Sequence, residues 1–171
     1  MARLFSLIAF ALLLATPALA EPSAKSADEL AIDTLLDNFN LAAARADGPA
    51  YFASFTPNAV FVGTDASERW TLPQFRAFAE PYFAKGKGWT YTPTHRTVTF
   101  ADMPCHCVAW FEEDLVSESY GTTRGTGMVL KGPGGWKIGQ YVLTIPLPND
   151  IAKDLVATIK AYEAAHPKPG Q

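Results

Sequence analysis

Three polar side chains have the types and positions expected of catalytic groups in a largely apolar chain. Asp65 lies in the polar stretch after a short apolar run, His95 follows Trp89 and Tyr91, and Glu112 lies within a later alternating segment. A carboxylate that faces a cavity can act as a general base, and a histidine or tyrosine can donate the matching hydrogen bond. Asp65, His95 and Glu112 are therefore the candidate catalytic residues.

Each candidate also has a purely structural interpretation. An aspartate followed two residues later by Ser67 is typical of a turn. A single histidine near aromatic residues often lines a pocket as a hydrogen-bonded neighbour without reacting.

Arg124 is a cation that can lie close to Glu112, because the two lie near the middle of adjacent predicted hairpin strands. An inward charge is costly unless it is paired. Arg124 therefore either pairs with Glu112 or Asp114 inside the domain, where it would bind a polar ligand group, or forms a cross-strand pair at the surface.

Aromatic side chains recur along the chain and can line a pocket, since small-molecule sites are mostly apolar with a few polar groups. The predicted ligand pocket contains Trp70, Trp89, Tyr91, His95, Trp110, Glu112, Arg124 and Tyr141. Most of the tryptophans, Trp136 among them, can equally be core residues.

The composition describes one soluble-type folded unit. The chain has 171 residues, of which 49% are hydrophobic and 18% charged, which is enough apolar surface for a single sizeable core. The net charge of −3 and the absence of a basic stripe exclude nucleic acid as a partner. There is no phosphate-binding glycine loop, nucleophile elbow or histidine-rich metal pattern, so we predict neither cofactor nor metal.

The N-terminus has the form of an export signal. Arg3 precedes the apolar run 4–15, and Ala18 and Ala20 give the small-x-small pattern of a cleavage site. The run is about a dozen residues, shorter than the roughly 20 that span a bilayer. We predict a signal peptide at 1–20, a periplasmic or secreted protein, and no stable membrane anchor after cleavage.

Cys105 and Cys107 are the two cysteines of the chain. In a strand, side chains two residues apart lie about 6.6 Å apart and parallel, which suits a disulfide poorly. A metal site with His106 lacks a second ligand pair. The spacing therefore favours two free thiols that are buried or half-buried.

Three helices are predicted before the main sheet. Ser26 and Glu29 have the spacing of a capping box, and apolar residues then recur with helical spacing. A short helix follows from Pro49, a strand at 59–62, and a third helix within 71–85.

The spacing then changes to that of β-strands, with a period of two. The strands are predicted at 89–97, 107–117, 122–131 and 136–145. Consecutive hairpins imply an antiparallel meander, with Pro93 at an edge or a bulge and the glycines of 121–127 bending the sheet. Asn149 begins a short last helix with its apolar residues facing inward, and a disordered tail occupies 167–171. Helices followed by antiparallel strands make an α+β fold with a pocket under the bent sheet.

Several segments resemble the SnoaL-like branch of the nuclear transport factor 2-like superfamily. They read FVGTDASERW at 61–70, GWTY at 88–91, AWFEE at 109–113, RGTG at 124–127 and PLPND at 146–150. The resemblance covers about 31–150 within a single domain, 21–166. It implies a cone of three N-terminal helices against a curved antiparallel sheet, open at one end to a pocket, and a possible homodimer.

The resemblance does not choose an activity, because the family includes isomerases, cyclases, dehydratases and proteins that only bind ligands. In its isomerase relatives a first-strand carboxylate is the base, but Val60-Phe61-Val62 carries none and Asp65 follows in the loop. We therefore expect an exported domain that binds a small, partly apolar molecule with Arg124 and His95 as polar anchors.

Two alternatives stay open at this point. In the first, the chain is an enzyme that uses Asp65 or Glu112 as base and His95 or Tyr91 as donor. In the second, it is an envelope interaction module whose exposed sheet face docks on a partner.

The signal peptide generates the first testable prediction. When the full chain is expressed in a bacterial host with an intact export pathway, the periplasmic fraction should contain a protein whose mass equals that of a chain beginning at Glu21. Intact-mass spectrometry of that fraction checks it. A cytoplasmic protein that retains Met1 to Ala20 would contradict the prediction.

Overall fold

A computed structural model describes residues 24–167, which form four helices and six strands. The helices are α1 (Ala27–Ala44), α2 (Gly48–Ala53), α3 (Leu72–Phe83) and α4 (Asn149–Ala165). The strands are β1 (Phe55–Val62), β2 (Arg69–Thr71), β3 (Thr92–Phe100), β4 (Val108–Ser117), β5 (Gly121–Gly132) and β6 (Gly135–Thr144). The predicted leader, 1–20, and the tail residues 168–171 lie outside the described residues.

The strands form one six-stranded sheet in the order β2-β1-β6-β5-β4-β3. Strands β3 to β6 pair as the predicted antiparallel meander, whereas β1 lies parallel to β6. Register shifts interrupt β1, β3 and the β5–β6 pair, and such bulges increase the local twist and bend of a sheet. The α+β architecture and the curved sheet are thus as expected, and so is a strand between α2 and α3, whereas the short strand β2 was not predicted.

The helix starts follow the capping signals in the sequence. Ser26 caps α1, and Glu29 completes the capping box by accepting the Ser26 N–H at 2.7 Å. At α3 the Gln74 Oε1 accepts from the Thr71 backbone N–H at 2.9 Å. These bonds satisfy backbone donors that a helix start leaves unpaired, so α1 and α3 begin at fixed positions against the sheet.

The concave face of the sheet is identified by its burial. Along β4 the buried residues are Ala109, Phe111, Glu113, Leu115 and Ser117, and the intervening side chains are wholly or partly exposed. The helices α1, α2 and α3 pack on this buried side, so one aromatic-rich core lies between helices and sheet.

The last helix differs from its prediction. It spans 17 residues, and none of them is buried. Its apolar residues Ile151, Ile159 and Tyr162 are 50%, 46% and 65% exposed, so they do not form an inner face. Pro148 rather than Asn149 occupies the cap position.

The prediction of two free thiols is wrong, because Cys105 and Cys107 form a disulfide. The strand geometry used for that prediction does not apply, since β4 begins at Val108 and the cysteines lie in the β3–β4 turn. There His106 adopts a left-handed backbone with φ of 44°, and the cysteine Cα atoms are 5.1 Å apart. A turn of this kind brings together side chains that a strand would hold parallel.

Within residues 24–167, no helix combines the length and apolar character that crossing a bilayer requires.

The close approach of β5 and β6 generates the second prediction. A Cβ at Gly127 would overlap the backbone carbonyl of Gln140 and the ring of Phe111. Gly127→Ala should therefore lower the free energy of unfolding by about 1–3 kcal/mol, measured by urea denaturation. Gly134→Ala is the matched control, because a Cβ there meets no atom within 4 Å. Equal stability of both variants would contradict the described strand approach.

Candidate active and binding cavity

A cavity of about 430 Å³ opens between the helices and the concave face of the sheet. Its inner walls come from α1, α3, β1 and β6, and its exposed lining residues lie in the loops 63–68, 88–91 and 117–120 and on α3. The loops therefore form the mouth. This volume lies in the range of small-molecule sites.

A stack of nearly parallel aromatic rings runs through the cavity wall from mouth to floor. Phe78 stacks on Trp70 at 4.9 Å between ring centroids, and Trp70 stacks on Phe75 at 5.7 Å. Phe75 stacks on Phe61 at 3.9 Å, and Phe61 on Tyr141 at 5.6 Å. Phe78 is 44% exposed, whereas Phe75, Phe61 and Tyr141 are buried. A flat ligand can continue this stacking at the exposed end, beside Phe78.

Behind the lining residue Tyr141 lies a buried hydrogen-bonded carboxylate, Glu113, which does not itself line the cavity. The Tyr141 hydroxyl donates to Glu113 Oε1 at 3.0 Å, and the Arg96 guanidinium donates to Glu113 Oε2 from Nε at 3.0 Å and Nη2 at 2.7 Å. Arg96 and Glu113 are direct partners in the β3–β4 register. Both carboxylate oxygens therefore have donors, which is the condition for keeping a charge in the interior.

Helix α1 completes the network from the other side. Arg96 Nη2 lies 2.9 Å from Asp37 Oδ1, and Nη1 lies 3.3 Å from Asp33 Oδ1. Lys25 binds Asp33 in turn at 2.6 Å. Salt bridges thus join α1, which forms one wall of the cavity, to strands β3 and β4.

Gly125 makes the Tyr141–Glu113 hydrogen bond possible. It lies opposite Glu113 on β5, and a Cβ there would overlap the Tyr141 hydroxyl. The glycine belongs to the RGTG segment singled out in the sequence.

Burial raises the pKa of two tyrosines of the cavity lining, Tyr141 and Tyr91. Burial first, and then the adjacent Glu113 charge, raise the pKa of Tyr141 well above its ordinary value. Tyr141 therefore keeps its proton at neutral pH and donates it in the hydrogen bond to Glu113. Burial, assisted by Tyr120, raises the pKa of Tyr91 to about 12.

Asn40 is a polar residue of the lining that the sequence analysis missed. It is 6% exposed, and its Nδ2 is buried without a hydrogen-bond partner among residues 24–167. Rotation of the amide about Cβ–Cγ exchanges Nδ2 and Oδ1, so the group can turn a donor toward the cavity. The sequence offered one sign of this residue, because Asn40 is a polar residue among the apolar positions of α1. Phe39 and Ala43, on the same helix, also line the cavity.

The mouth carries a carboxylate held in place by its loop. Glu68 lines the cavity, and its Oε2 accepts the Asp65 N–H at 3.1 Å. The side chain lies over Gly63, where a Cβ would overlap that oxygen. Asp65 itself is exposed and its Oδ1 accepts the Ser67 N–H at 2.8 Å, which is the predicted turn geometry.

The structure brings together Trp70, Trp89, Tyr91 and Tyr141, which all line the cavity. It separates His95 from them. The register shift between Pro93 and His95 reverses the alternation of β3, so Arg96 faces inward and the exposed His95 contacts Thr97 at 3.3 Å. The 88–91 segment is also not a strand, so its two aromatic residues need not share a strand face with His95.

The remaining predicted pocket residues lie on the outer face of the sheet. Trp110 is 51% exposed, and Glu112 is exposed beside it. Arg124 pairs with Asp114 at 3.2 Å, and both side chains are close to half exposed, which is the surface alternative. These residues fall outside the cavity lining because the concave face carries Glu113 and not Glu112.

No group of three or more potential metal ligands occurs within residues 24–167.

The buried network generates the third prediction. Arg96→Met leaves the Glu113 charge buried and uncompensated, so the free energy of unfolding should fall by about 3–5 kcal/mol in urea denaturation. Arg124→Met, which removes an exposed pair, should cost less than about 1 kcal/mol. The double variant Arg96→Met/Glu113→Gln should regain part of the loss. Equal costs for both single variants would show that Glu113 does not depend on Arg96.

Solved structures with the same fold come from several bacteria. A proposed aromatic ring hydroxylase from Novosphingobium aromaticivorans is 22% identical with a TM-score of 0.58, covering 71% of this chain and 90% of that one. An NTF2-like protein of unknown function from Pseudomonas putida is 17% identical with a TM-score of 0.58, covering 72% and 89%. A proposed dehydratase of the NTF2-like family from Streptomyces avermitilis is 13% identical with a TM-score of 0.59, covering 71% and 97%. At these identities the likeness concerns the fold alone.

No curated protein matches the chain. The SnoaL-like domain model matches residues 32–148, which include β1 to β6 and every cavity-lining residue described above. By this match, the chain belongs to the SnoaL-like domain family.

Proposed function

We propose that this chain is a binding protein for a small, flat and largely apolar organic molecule, held in the cavity under the sheet. The observation that carries the proposal is the ring stack from Phe78 to Tyr141, which lines the cavity from its mouth to its floor. Aromatic side chains bury large apolar areas and prefer stacked contacts with other rings. Following the predicted signal peptide, we place this activity outside the cytoplasm.

The polar groups of the cavity support binding better than acid–base catalysis. Glu113, the carboxylate behind Tyr141, does not line the cavity, is paired with Arg96 and accepts the Tyr141 hydroxyl. A base must reach a substrate proton within hydrogen-bond distance, and Glu113 has both oxygens engaged. The predicted bases Asp65 and Glu112 do not line the cavity, nor does His95.

Binding of the neutral dye Nile red generates the fourth prediction. The purified mature chain should enhance its fluorescence in a saturable manner, because the dye leaves water for an apolar site. Phe78→Ala removes the outermost ring of the stack and should weaken binding by about fivefold to tenfold.

Trp110→Ala is the matched control for this experiment. Trp110 and Phe78 are both exposed aromatic residues, at 51% and 44%, but Trp110 lies outside the cavity. Trp110→Ala should therefore leave the dissociation constant of Nile red unchanged. An equal loss in both variants, or no saturable binding by the unmodified chain, would overturn the proposed function.

A further inference from the structure

The charges around the cavity have one sign. The ionisable acids of its lining are Glu68 and Glu118, and no Lys, Arg or His of residues 24–167 lines it. Arg69, Lys85 and Lys87 neighbour lining residues in sequence, but their side chains do not contribute to the lining. A ligand at the mouth therefore meets carboxylates without a compensating cation.

Glu68 is a fixed charge and lacks a salt bridge. Its Oε2 accepts the Asp65 N–H, and its backbone closes the loop through the Gly63 N–H to Glu68 O bond of 2.8 Å. Within residues 24–167 neither Glu68 nor Glu118 forms a salt bridge. A carboxylate that is held in place and has no counter-ion attracts a cation without first breaking a salt bridge.

Aromatic rings surround the same mouth. Phe78, Tyr82 and Tyr120 line it and are 44%, 48% and 52% exposed, with Trp70 and Trp89 behind them. Aromatic faces attract ammonium groups, most strongly tryptophan, and clusters of such rings bind quaternary ammonium ligands. The mouth thus combines the two features that favour a cation.

The inner part of the cavity offers a hydrogen-bond donor, whereas the mouth offers negative charge. The Asn40 amide is more than nine-tenths buried, and its Nδ2 has no partner among the described residues. When the amide rotates about Cβ–Cγ, Nδ2 faces the cavity and a ligand oxygen would accept from it, so that an unpaired buried donor is exchanged for a less costly unpaired acceptor. The inner end of a ligand is therefore expected to carry an acceptor.

We propose that the ligand is a flat amine. Its ring system lies against the stack from Trp70 to Tyr141, a carbonyl or ether oxygen accepts from Asn40, and a protonated or quaternary ammonium lies at the mouth beside Glu68. This inference rests on the proposed function and deepens it, since it specifies the chemical class of the ligand.

Three para-substituted acetophenones test the charge. They are para-trimethylammonio-acetophenone, its neutral isostere para-tert-butylacetophenone, and the anion para-acetylbenzoate. In isothermal titration calorimetry at low ionic strength, the cation should bind about fivefold to tenfold more tightly than the neutral ketone. The anion should bind more weakly than both, and added salt should reduce the advantage of the cation.

Charge-removing variants test the position. Glu68→Gln keeps the side-chain shape and should reduce the preference for the cation by at least threefold, while the neutral ketone binds as before. Glu112→Gln removes the same charge from the outer face and should change neither affinity. Should Glu68→Gln lower the melting temperature, Glu118→Gln gives the same readout at the other side of the mouth.

A further pair of probes tests Asn40. Asn40→Leu should weaken the binding of para-methylacetophenone about fivefold or more. It should leave unchanged or strengthen the binding of para-ethyltoluene, which has a methylene in place of the carbonyl. A melting temperature at least equal to that of the unmodified chain shows that the variant is folded.

The outcomes separate this inference from the proposed function. If Nile red and all probes fail to bind, the proposed function is wrong and this inference falls with it. If the dye binds but the anion binds as tightly as the cation, or Glu68→Gln and Glu112→Gln have equal effects, the inference alone is overturned.

Discussion

The buried ion pair between Arg96 and Glu113 is the constraint on which the rest of the structure depends. Glu113 has no exposed side-chain surface, so its charge is tolerable only if both oxygens are bound. That requirement sets Arg96 opposite Glu113 on β3, directs the Tyr141 hydroxyl to Glu113 and requires glycine at 125. The charge network therefore joins α1 to strands β3 and β4 behind the cavity, and apolar packing forms the rest of the core.

The sequence predicts the local features of this fold well. The capping boxes of α1 and α3 and the period of β4 to β6 are properties of neighbouring residues, so the element order and the antiparallel meander follow from pattern alone. The parallel pairing of β1 with β6 is a contact between distant segments that no local pattern encodes. The Cys105–Cys107 disulfide was missed for a related reason, since one left-handed residue converts an apparent strand into a turn.

The site could be predicted only in part, because alternation identifies two faces without saying which is concave. Trp70, Trp89, Tyr91 and Tyr141 line the cavity, as the excess of aromatic residues suggested. The sequence left open whether Arg124 forms an inward or a surface pair; it forms the surface pair with Asp114, and the inward pair, Arg96 with Glu113, was not predicted. The missed signal was Glu113 itself, an acid whose neighbours on the same face, Phe111 and Leu115, are apolar.

The cavity also has a cost in stability that is informative about function. A large opening among aromatic side chains forfeits packing contacts, and the unpaired Nδ2 of Asn40 forfeits a hydrogen bond worth roughly 1–3 kcal/mol. Replacing Asn40 with an apolar residue of similar size would remove that penalty at no cost to the helix. Two buried side-chain atoms of residues 24–167 lack a hydrogen-bond partner, Asn40 Nδ2 and Thr123 Oγ1, and of these two residues only Asn40 lines the cavity. Exceptions to a local rule are expected at functional sites, so Asn40 is the position at which the proposed ligand would add a hydrogen bond.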